Sequence, residues 1–311
     1  MIRELDTAVG VLGWSEKQNE IYIEYYRGTD LIVEIPKRIE GMPVTVVGKK
    51  AFLGARFLRE VSLPFGIRQI GDYGFASCHK LETVRMWAGD MEFGQGVFYH
   101  CDKLERILTE RFMPSNVTED RTTSLQKTED ISCLLAATVG ILNASFLLLP
   151  KQAGEPDWIE RLDHLILNRL AVPDEEGFAN MLMCGEEDYV GNDSNYEHYC
   201  SGRRKEKIRL LLLRMLHSWG IASDTAMVMK QYLLDHACGR EQDETWKVVL
   251  EEHGDEKLYY DLLFELGGID KDNIDLMISD LGEAHAEMKA YLLRLRNERF
   301  SGGDFFDDLD L

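Results

Sequence analysis

The sequence predicts an α+β protein in which a short solenoid of strand-and-turn repeats is followed by an all-α helical domain. Three observations lead to this fold class. A 23-residue repeat runs through the first part of the chain, and near Thr122 the hydrophobic period changes from that of a strand to that of a helix. The net negative charge lies almost entirely in the second part. Residues 1–112 carry 15 basic and 16 acidic side chains, whereas residues 113–311 carry 20 basic and 39 acidic ones.

The composition is that of a globular protein with more than one domain. Its 311 residues are 45% hydrophobic and 10% aromatic, and its formal charge is −20. We predict a repeat domain over residues 1–115, a helical domain over 120–300 and an acidic-aromatic tail over 301–311. The net charge argues against a nucleic acid as a partner, because phosphate binding needs a clustered basic surface.

The first element is a stretch that alternates like a β-strand, IYIEYYRGTDLIVEIP, beginning at Ile21. Because the end of a solenoid needs a cover, we expect this stretch to form a β-cap over the first repeat.

Three repeat units follow and align without gaps from Val47, Ile70 and Phe93. Equivalent positions hold apolar residues, glycine or cysteine: Val47/Ile70/Phe93, Gly48/Gly71/Gly94, Phe52/Phe75/Phe98, Ala55/Cys78/Cys101, Leu58/Leu81/Leu104 and Val61/Val84/Ile107. Each unit is too small to bury its own apolar side, so neighbouring units stack and each column becomes a ladder. The phenylalanines then form an aromatic spine, the glycines mark a tight turn, and the column cysteines are buried packing residues.

The lead-in to these units is distinctive. It reads IPxxIxGxPVTxxGxxAF from Ile35 to Phe52, and each unit continues as AFxxCxxLxxV or a close variant. Over residues 20–112 the chain resembles the BspA-type leucine-rich repeats of bacteria. The resemblance implies a solenoid fold and a binding scaffold. The first unit ends with Leu63-Pro64, but the second has Met86-Trp87 at the equivalent positions. Because of this departure, the resemblance does not predict the conformation of the later turns.

The acidic second part predicts a series of helices. Their expected ranges are 129–149, 156–170, 174–184, 203–218, 222–237, 241–252, 255–266, 271–281 and 284–299. The last helices of this series resemble degenerate ankyrin-like units that lack the T-P-L-H motif. Their sequence contains GDEKLYYDLLFELGG and, further on, AYLLRLR. Residues 131–150 carry no charge, which suits a core helix and also, as the less favoured alternative, a membrane span.

Catalytic motifs are missing from the sequence, which predicts a protein that is not an enzyme and has no cofactor. The nearest approach to a ligand cluster is the segment 184–200, in which Cys184, His198 and Cys200 stand among several acids. A metal-dependent hydrolase or metal-regulated protein is therefore the alternative hypothesis, although the spacing fits no zinc module. The six cysteines show no disulfide framework and the N-terminus has no apolar signal stretch, which favours a cytoplasmic location and no membrane contact.

The predicted function is protein–protein interaction. Alternation within the strands directs one set of side chains outward. We expect the contact surface at Glu60, Ser62, Thr83, Arg85 and Arg106, with Trp87 as an exposed aromatic anchor.

Two charged segments lie outside this surface. The tail, with Phe305 and Phe306 among aspartates, has the composition of a short docking motif. The basic cluster of residues 203–207 is expected to begin a helix and to contact neighbouring acids.

Overall fold

Eleven short strands build the first part of the chain, and eight α-helices follow within the residues described. The computed structural model describes residues 1–110, 121–179 and 193–300. The chain divides into a first unit, Met1–Leu162 with His217–Gly220, and a second unit, Asp163–Leu216 with Ile221–Leu311.

The strands of the first unit form two sheets. They are β1 (Arg3–Asp6), β2 (Gly10–Lys17), β3 (Glu20–Gly28), β4 (Ile32–Glu34), β5 (Arg38–Ile39), β6 (Met42–Val47), β7 (Glu60–Ser62), β8 (Gln69–Ile70), β9 (Thr83–Trp87), β10 (Glu92–Phe93) and β11 (Arg106–Glu110). One sheet has the order β1-β2-β3-β6-β8-β10, with β5 beside β6, and the other is the four-stranded parallel sheet β11-β9-β7-β4. This is the predicted solenoid, in which each turn contributes one strand to the four-stranded sheet.

The boundary between the cap and the first turn of the solenoid lies earlier in the chain than predicted. Strands β1 to β3 form an antiparallel meander, and β3 then pairs in parallel with β6. The expected cap stretch also included residues 32–34, but these form β4, which pairs in parallel with β7 and is a repeat strand. The four-stranded sheet thus has one strand more than the three predicted units supply.

Apolar ladders hold the repeats together, as the aligned columns predict. Val33, Val61, Val84 and Ile107 occupy one register position and are at most 2% exposed. The phenylalanine spine is confirmed: ring centroids lie 4.8 Å apart for Phe52–Phe75 and 5.6 Å apart for Phe75–Phe98. Tyr26 extends the stack by one ring, 5.2 Å from Phe52. Such offset stacking adds to the stabilisation that burial of the rings supplies.

The glycine column allows the backbones of successive turns to approach each other closely. None of Gly48, Gly71 and Gly94 has a positive φ, so a left-handed conformation is not what requires glycine there. A Cβ on Gly94 would lie 2.4 Å from the backbone nitrogen of Asp72, which leaves no room for a side chain. Cys78 and Cys101 are buried, and each Sγ donates to the carbonyl of the phenylalanine in the preceding turn, at 3.1 and 3.0 Å. These thiols are packing residues, as predicted.

Helix α1 (Arg121–Gly140) packs against β11, the last repeat strand. Its residues 131–138 are all buried, as expected of a helix whose apolar residues surround it on every side. The apolar run does not continue as one helix to residue 149, because Leu142 N donates to Ala137 O and Asn143 takes a φ of 50°. Among the described residues, no helix has the length and apolar character that a membrane crossing needs.

A buried carboxylate fixes α1 within the first unit. Asp130 is 3% exposed and accepts hydrogen bonds from the backbone N–H of Trp219 and from Gln126, and it lies 3.2 Å from His217 Nδ1. Burial opposes protonation of His217, but hydrogen bonds to Asp130 and Cys133 outweigh it and raise the pKa of His217 to about 9. His217 is therefore protonated at neutral pH.

The remaining helices confirm the predicted helical part, with changes at their ends. They are α2 (Pro156–Ala171), α3 (Asp193–Leu216), α4 (Ser223–Asp235), α5 (Glu244–His253), α6 (Lys257–Leu266), α7 (Ile274–Leu281) and α8 (Ala286–Arg299), with a 3-10 turn at Ser145–Leu147 before α2. The predicted helix 174–184 lies partly outside the described residues. The basic cluster 203–207 stands in the middle of α3 and does not begin it.

Charged side chains occupy part of the core of the second unit. Arg214 is fully buried, and its Nε and Nη2 donate to the two carboxylate oxygens of Asp163 at 2.7 and 3.1 Å. Arg204 Nε donates to Glu244 Oε1 at 2.9 Å, and both residues are 3% exposed. The basic cluster therefore contacts acids, as predicted, but Arg204 and Lys207 do so in the interior, whereas Arg203 and Lys205 pair with exposed acids.

Candidate protein-interaction face

The register of the four-stranded sheet brings the predicted contact residues onto one surface. Ile32, Glu60, Thr83 and Arg106 are direct neighbours across the four strands, and Glu34, Ser62, Arg85 and Leu108 form the next row. Trp87 follows two residues after Arg85 on the same side. We call these outward residues, from Ile32 on β4 to Leu108 on β11, the strand face. The buried valine ladder directly behind them gives the face a rigid support.

An ion pair joins two of the predicted residues. Arg85 Nε donates to Glu60 Oε1 at 2.6 Å, a diagonal contact between β9 and β7. The Arg85 side chain is 44% exposed and that of Glu60 is 27% exposed. Both groups therefore remain accessible to a partner while the pair fixes their position.

Thr83 does not belong to the accessible part of the face. It was predicted as a contact residue, but it is only 6% exposed. Its neighbours across the register are Glu60 and Arg106, whose side chains are much longer. A short side chain between two long ones is screened from solvent, which alternation along the strand does not reveal.

Trp87 is half-buried, whereas the sequence predicts an exposed anchor. Its ring makes an edge-to-face contact with Phe65, with centroids 4.8 Å apart. Phe65 is 63% exposed. The two rings form an aromatic pair at the carboxyl end of the strand face, and Phe65 contributes most of its exposed surface.

Arg106 lies at the other edge of the face, beside α1. Its Nη1 is 3.7 Å from Glu129 Oε1, with both side chains more than 40% exposed. Helix α1 therefore borders the face along β11, where a further repeat strand would otherwise pair.

The charges on the strand face are ordered. Glu34 and Glu60 lie on β4 and β7, whereas Arg85 and Arg106 lie on β9 and β11. The face is thus acidic towards β4 and basic towards β11, with no net charge from these four side chains. Such an arrangement selects an orientation of the partner more than it supplies long-range attraction.

Sequence reasoning missed Ile32, Glu34 and Phe65, whereas strand alternation does place Leu108 outward beside Arg106. The signal for the first two is the likeness of LIVEIP at Leu31 to LREVSLP at Leu58, which shares the V-x-[IL]-P ending. The separation of Val33 and Val61 is 28 residues and not 23, so a search at a fixed period does not find it. Phe65 stands in a turn, and its contact with Trp87 is set by the path of that turn.

Several predicted residues cannot be placed on this surface. Phe305 and Phe306 lie outside the described residues, and so do residues 184–192 of the proposed metal cluster. Within the part of the chain that is described, no group of three or more His, Cys, Asp or Glu side chains is placed to hold a metal ion. The metal-dependent alternative therefore gains no support from the geometry.

Cys238, which follows His236 by two residues, is not an activated thiol. Burial raises the pKa of Cys238 to about 12, with nearby aspartates acting in the same direction. His236, two residues earlier, lies with Nδ1 2.8 Å from the backbone oxygen of Tyr232. Nucleophilic chemistry needs a lowered thiol pKa, and this environment has the opposite effect.

The class of protein follows from the repeat geometry and is borne out by comparison with known families. Residues 32–137 match the family described as BspA type leucine rich repeat region (6 copies). This part of the chain is a BspA-type leucine-rich repeat region, and such repeats are generally protein-interaction modules. No curated protein matches the chain.

Solved structures similar to this chain come from bacterial leucine-rich repeat proteins. One is the T. pallidum protein TpLRR, with 33% identity, 34% of this chain and 49% of that chain covered, and a TM-score of 0.31. Another, from Bacteroides capillosus, has 23% identity, covers 38% of this chain and 88% of the other, and has a TM-score of 0.30. The chain spans about half the length of the T. pallidum protein.

Proposed function

We propose that this protein is a non-catalytic interaction module that holds a protein partner on its strand face. The observation that carries the proposal is the four-strand row of outward side chains, which combines an ordered ion pair, a Phe65–Trp87 aromatic pair and an exposed Ile32 over a fully buried ladder. Aromatic and arginine side chains on a rigid support are the residue types that dominate binding energy at protein interfaces.

The charge order of the face indicates what the partner presents. Its contact surface is expected to carry basic groups opposite Glu34 and Glu60 and acidic groups opposite Arg85 and Arg106. The aromatic pair then fills an apolar recess on the partner. We propose the acidic-aromatic tail, residues 301–311, as a second and weaker contact.

The test is affinity capture from the native organism with the full chain and two matched double variants. R85A/W87A removes one arginine and one aromatic ring from the strand face. R56A/Y99A removes the same residue types from exposed positions of the same repeats that lie outside the face. A third variant lacks residues 301–311.

We expect the unchanged chain and R56A/Y99A to capture the same set of proteins, and R85A/W87A to lose them. The chain without residues 301–311 is expected to capture a smaller amount of these proteins. Circular dichroism checks that each variant is folded. A folded R85A/W87A that retains every captured protein contradicts the proposal.

A further inference from the structure

Strand β4 has an open edge. In the four-stranded sheet its single neighbour is β7. Glu60 N donates to Leu31 O and Ile35 N donates to Ser62 O, both at 3.0 Å. Because backbone groups alternate in direction along a strand, the N–H and C=O groups of Ile32 and Glu34 point away from β7. Strand β4 pairs with β7 alone, and within the described residues the outward backbone groups of Ile32 and Glu34 have no hydrogen-bond partner.

A groove of about 380 Å³ runs beside this edge. Its lining comes from the end of β1 and the turn after it, from one residue of β2, and from β4 and the segment just beyond it: Leu5, Asp6, Thr7, Ala8, Leu12, Ile32, Val33, Glu34 and Pro36. The open edge therefore faces a space bounded by a second segment of chain, and is not simply a flat border exposed to solvent.

The far wall of the groove is held in place by a buried carboxylate. Asp30, 4% exposed, accepts hydrogen bonds from Thr7 Oγ1 at 2.6 Å, Val9 N at 2.7 Å and Tyr26 Oη at 2.8 Å. These bonds tie the turn after β1 to the residue that immediately precedes Leu31. The groove is thus formed before any ligand enters, which lowers the entropy cost of binding.

The chemistry of the groove defines its ligand. Its two charged lining residues, Asp6 and Glu34, are both acidic and exposed, and the lining contains no Lys or Arg. Leu31 and Ile32 beside it are 55% and 58% exposed. Natural sheet edges are usually protected by lysine or proline; here Pro36 and Lys37 stand just beyond β4, and β4 itself offers free backbone groups, apolar side chains and negative charge.

We propose that the β4 edge binds an extended basic segment of a partner protein, which adds to the sheet as a fifth strand beyond β4. Main-chain hydrogen bonds to Ile32 and Glu34 supply the affinity, and Lys or Arg side chains at alternate positions of the segment pair with Asp6 and Glu34. The side chains of Ile32 and Glu34 also belong to the strand face, but the site is the backbone edge of the sheet, and the proposal does not need a partner on that face.

The experiment uses the full chain labelled with ¹⁵N and three capped synthetic peptides. The first is Lys-Val-Lys-Val-Lys-Val-Lys, the second has Glu in place of each Lys, and the third is the basic peptide with its valine nitrogens methylated. Strand addition predicts millimolar or tighter binding of the basic peptide, with the largest shifts at the amides of Ile32 and Glu34. It predicts at least about tenfold weaker binding of the other two peptides, because one loses the charge match and the other a set of backbone donors.

Two variants of the protein locate the site. D6K/E34K is expected to reverse the preference between the basic and acidic peptides, and E105K, a change of an exposed glutamate elsewhere in the repeats, is expected to leave it unchanged. I32P removes the outward N–H of the edge and is expected to weaken the basic peptide about tenfold, since proline is tolerated on sheet edges but cannot donate.

Several results would overturn the proposal. They are equal binding of the methylated and unmethylated peptides, equal effects of E105K and D6K/E34K, shifts away from β4, and the absence of binding at millimolar concentration. A concentration-dependent dimer that D6K/E34K disrupts would also overturn it, because the occupant of the edge would then be a second copy. Circular dichroism of I32P and D6K/E34K separates loss of the site from loss of the fold.

Discussion

The two units of this protein fill their interiors with different chemistry. In the repeats, the buried side chains of the ladder are valine, isoleucine, phenylalanine and cysteine, and the buried thiols donate to backbone carbonyls. In the second unit, Arg204, Lys207 and Arg214 are 0 to 6% exposed and are paired with carboxylates. Both units contain buried apolar residues, but among the described residues the buried Lys and Arg side chains lie in the second unit, on one helix.

The fold of each unit is therefore determined by a different kind of contact. A ladder needs only that each turn repeat the preceding one, so its contacts lie between equivalent positions of adjacent repeats. The buried pairs join residues 33 to 51 positions apart and need a defined packing of helices. Buried pairs add little net stability compared with apolar residues of the same shape, but their loss leaves an unpaired charge.

The largest expected effect is at the centre of the aromatic spine. Phe75 is fully buried and stacks on a ring on either side. F75A is expected to lower the free energy of unfolding of the first unit by about 4 kcal/mol, because it removes a core ring and leaves a cavity. Urea unfolding with hydrogen exchange resolved by segment measures this, and F75L is the control with a smaller loss. Equal destabilisation by F75A and F75L would show that the volume of the side chain does not matter there.

The matching change in the second unit is R214M, which leaves Asp163 in the core without its partner. We expect a loss of about 3 kcal/mol in the free energy of unfolding, confined to the second unit. The double variant D163L/R214M is expected to recover most of it, because no unpaired charge remains. If the double variant is as unstable as R214M alone, the ion pair is a net source of stability and the comparison fails.

A smaller effect is expected at Asp30, the polar residue that ties the cap to the repeats. Burial opposes its ionisation, but hydrogen bonds from Thr7, Tyr26 and Val9 outweigh this and lower the pKa of Asp30 from its ordinary 3.8. A lowered pKa in the folded state means that the stabilisation is fully present above pH 4 and is lost as the pH falls through the lowered pKa.

D30N is therefore expected to cost about 2 kcal/mol at pH 7 and to reduce the acid-induced loss of stability below pH 4. Urea unfolding at several pH values measures both effects. A D30N curve parallel to that of the unchanged protein below pH 4 would assign the acid sensitivity to other carboxylates.

The smallest effect is expected on the strand face itself. E60Q breaks the charge pairing with Arg85, a pair at the surface whose side chains are 27% and 44% exposed and which salt therefore screens. The change in the free energy of unfolding is expected to stay below about 1 kcal/mol. Thermal unfolding checks this, and a larger loss would mean that the face is a structural element and not a surface available to a partner.

The repeat columns could be predicted from the sequence, because a ladder is a local rule applied several times. The outward positions also followed from strand alternation, but the burial of Thr83 did not, since it depends on the lengths of side chains on neighbouring strands. Strand β4 was missed because its connection to β7 is longer than the repeat. The partners of Arg204 and Arg214 were not predictable for a different reason: helix packing decides them, and hydrophobic periodicity carries no information about it.

The central claim, that a protein partner contacts the strand face, is tested most directly by photo-crosslinking. A benzophenone amino acid replaces Ser62 on the face or Arg56 outside it, one position at a time, in cells of the native organism. The account predicts a crosslinked adduct at Ser62 that is absent at Arg56 and is lost when R85A/W87A is added. Equal adducts at both positions, or an adduct only at Arg56, would contradict it.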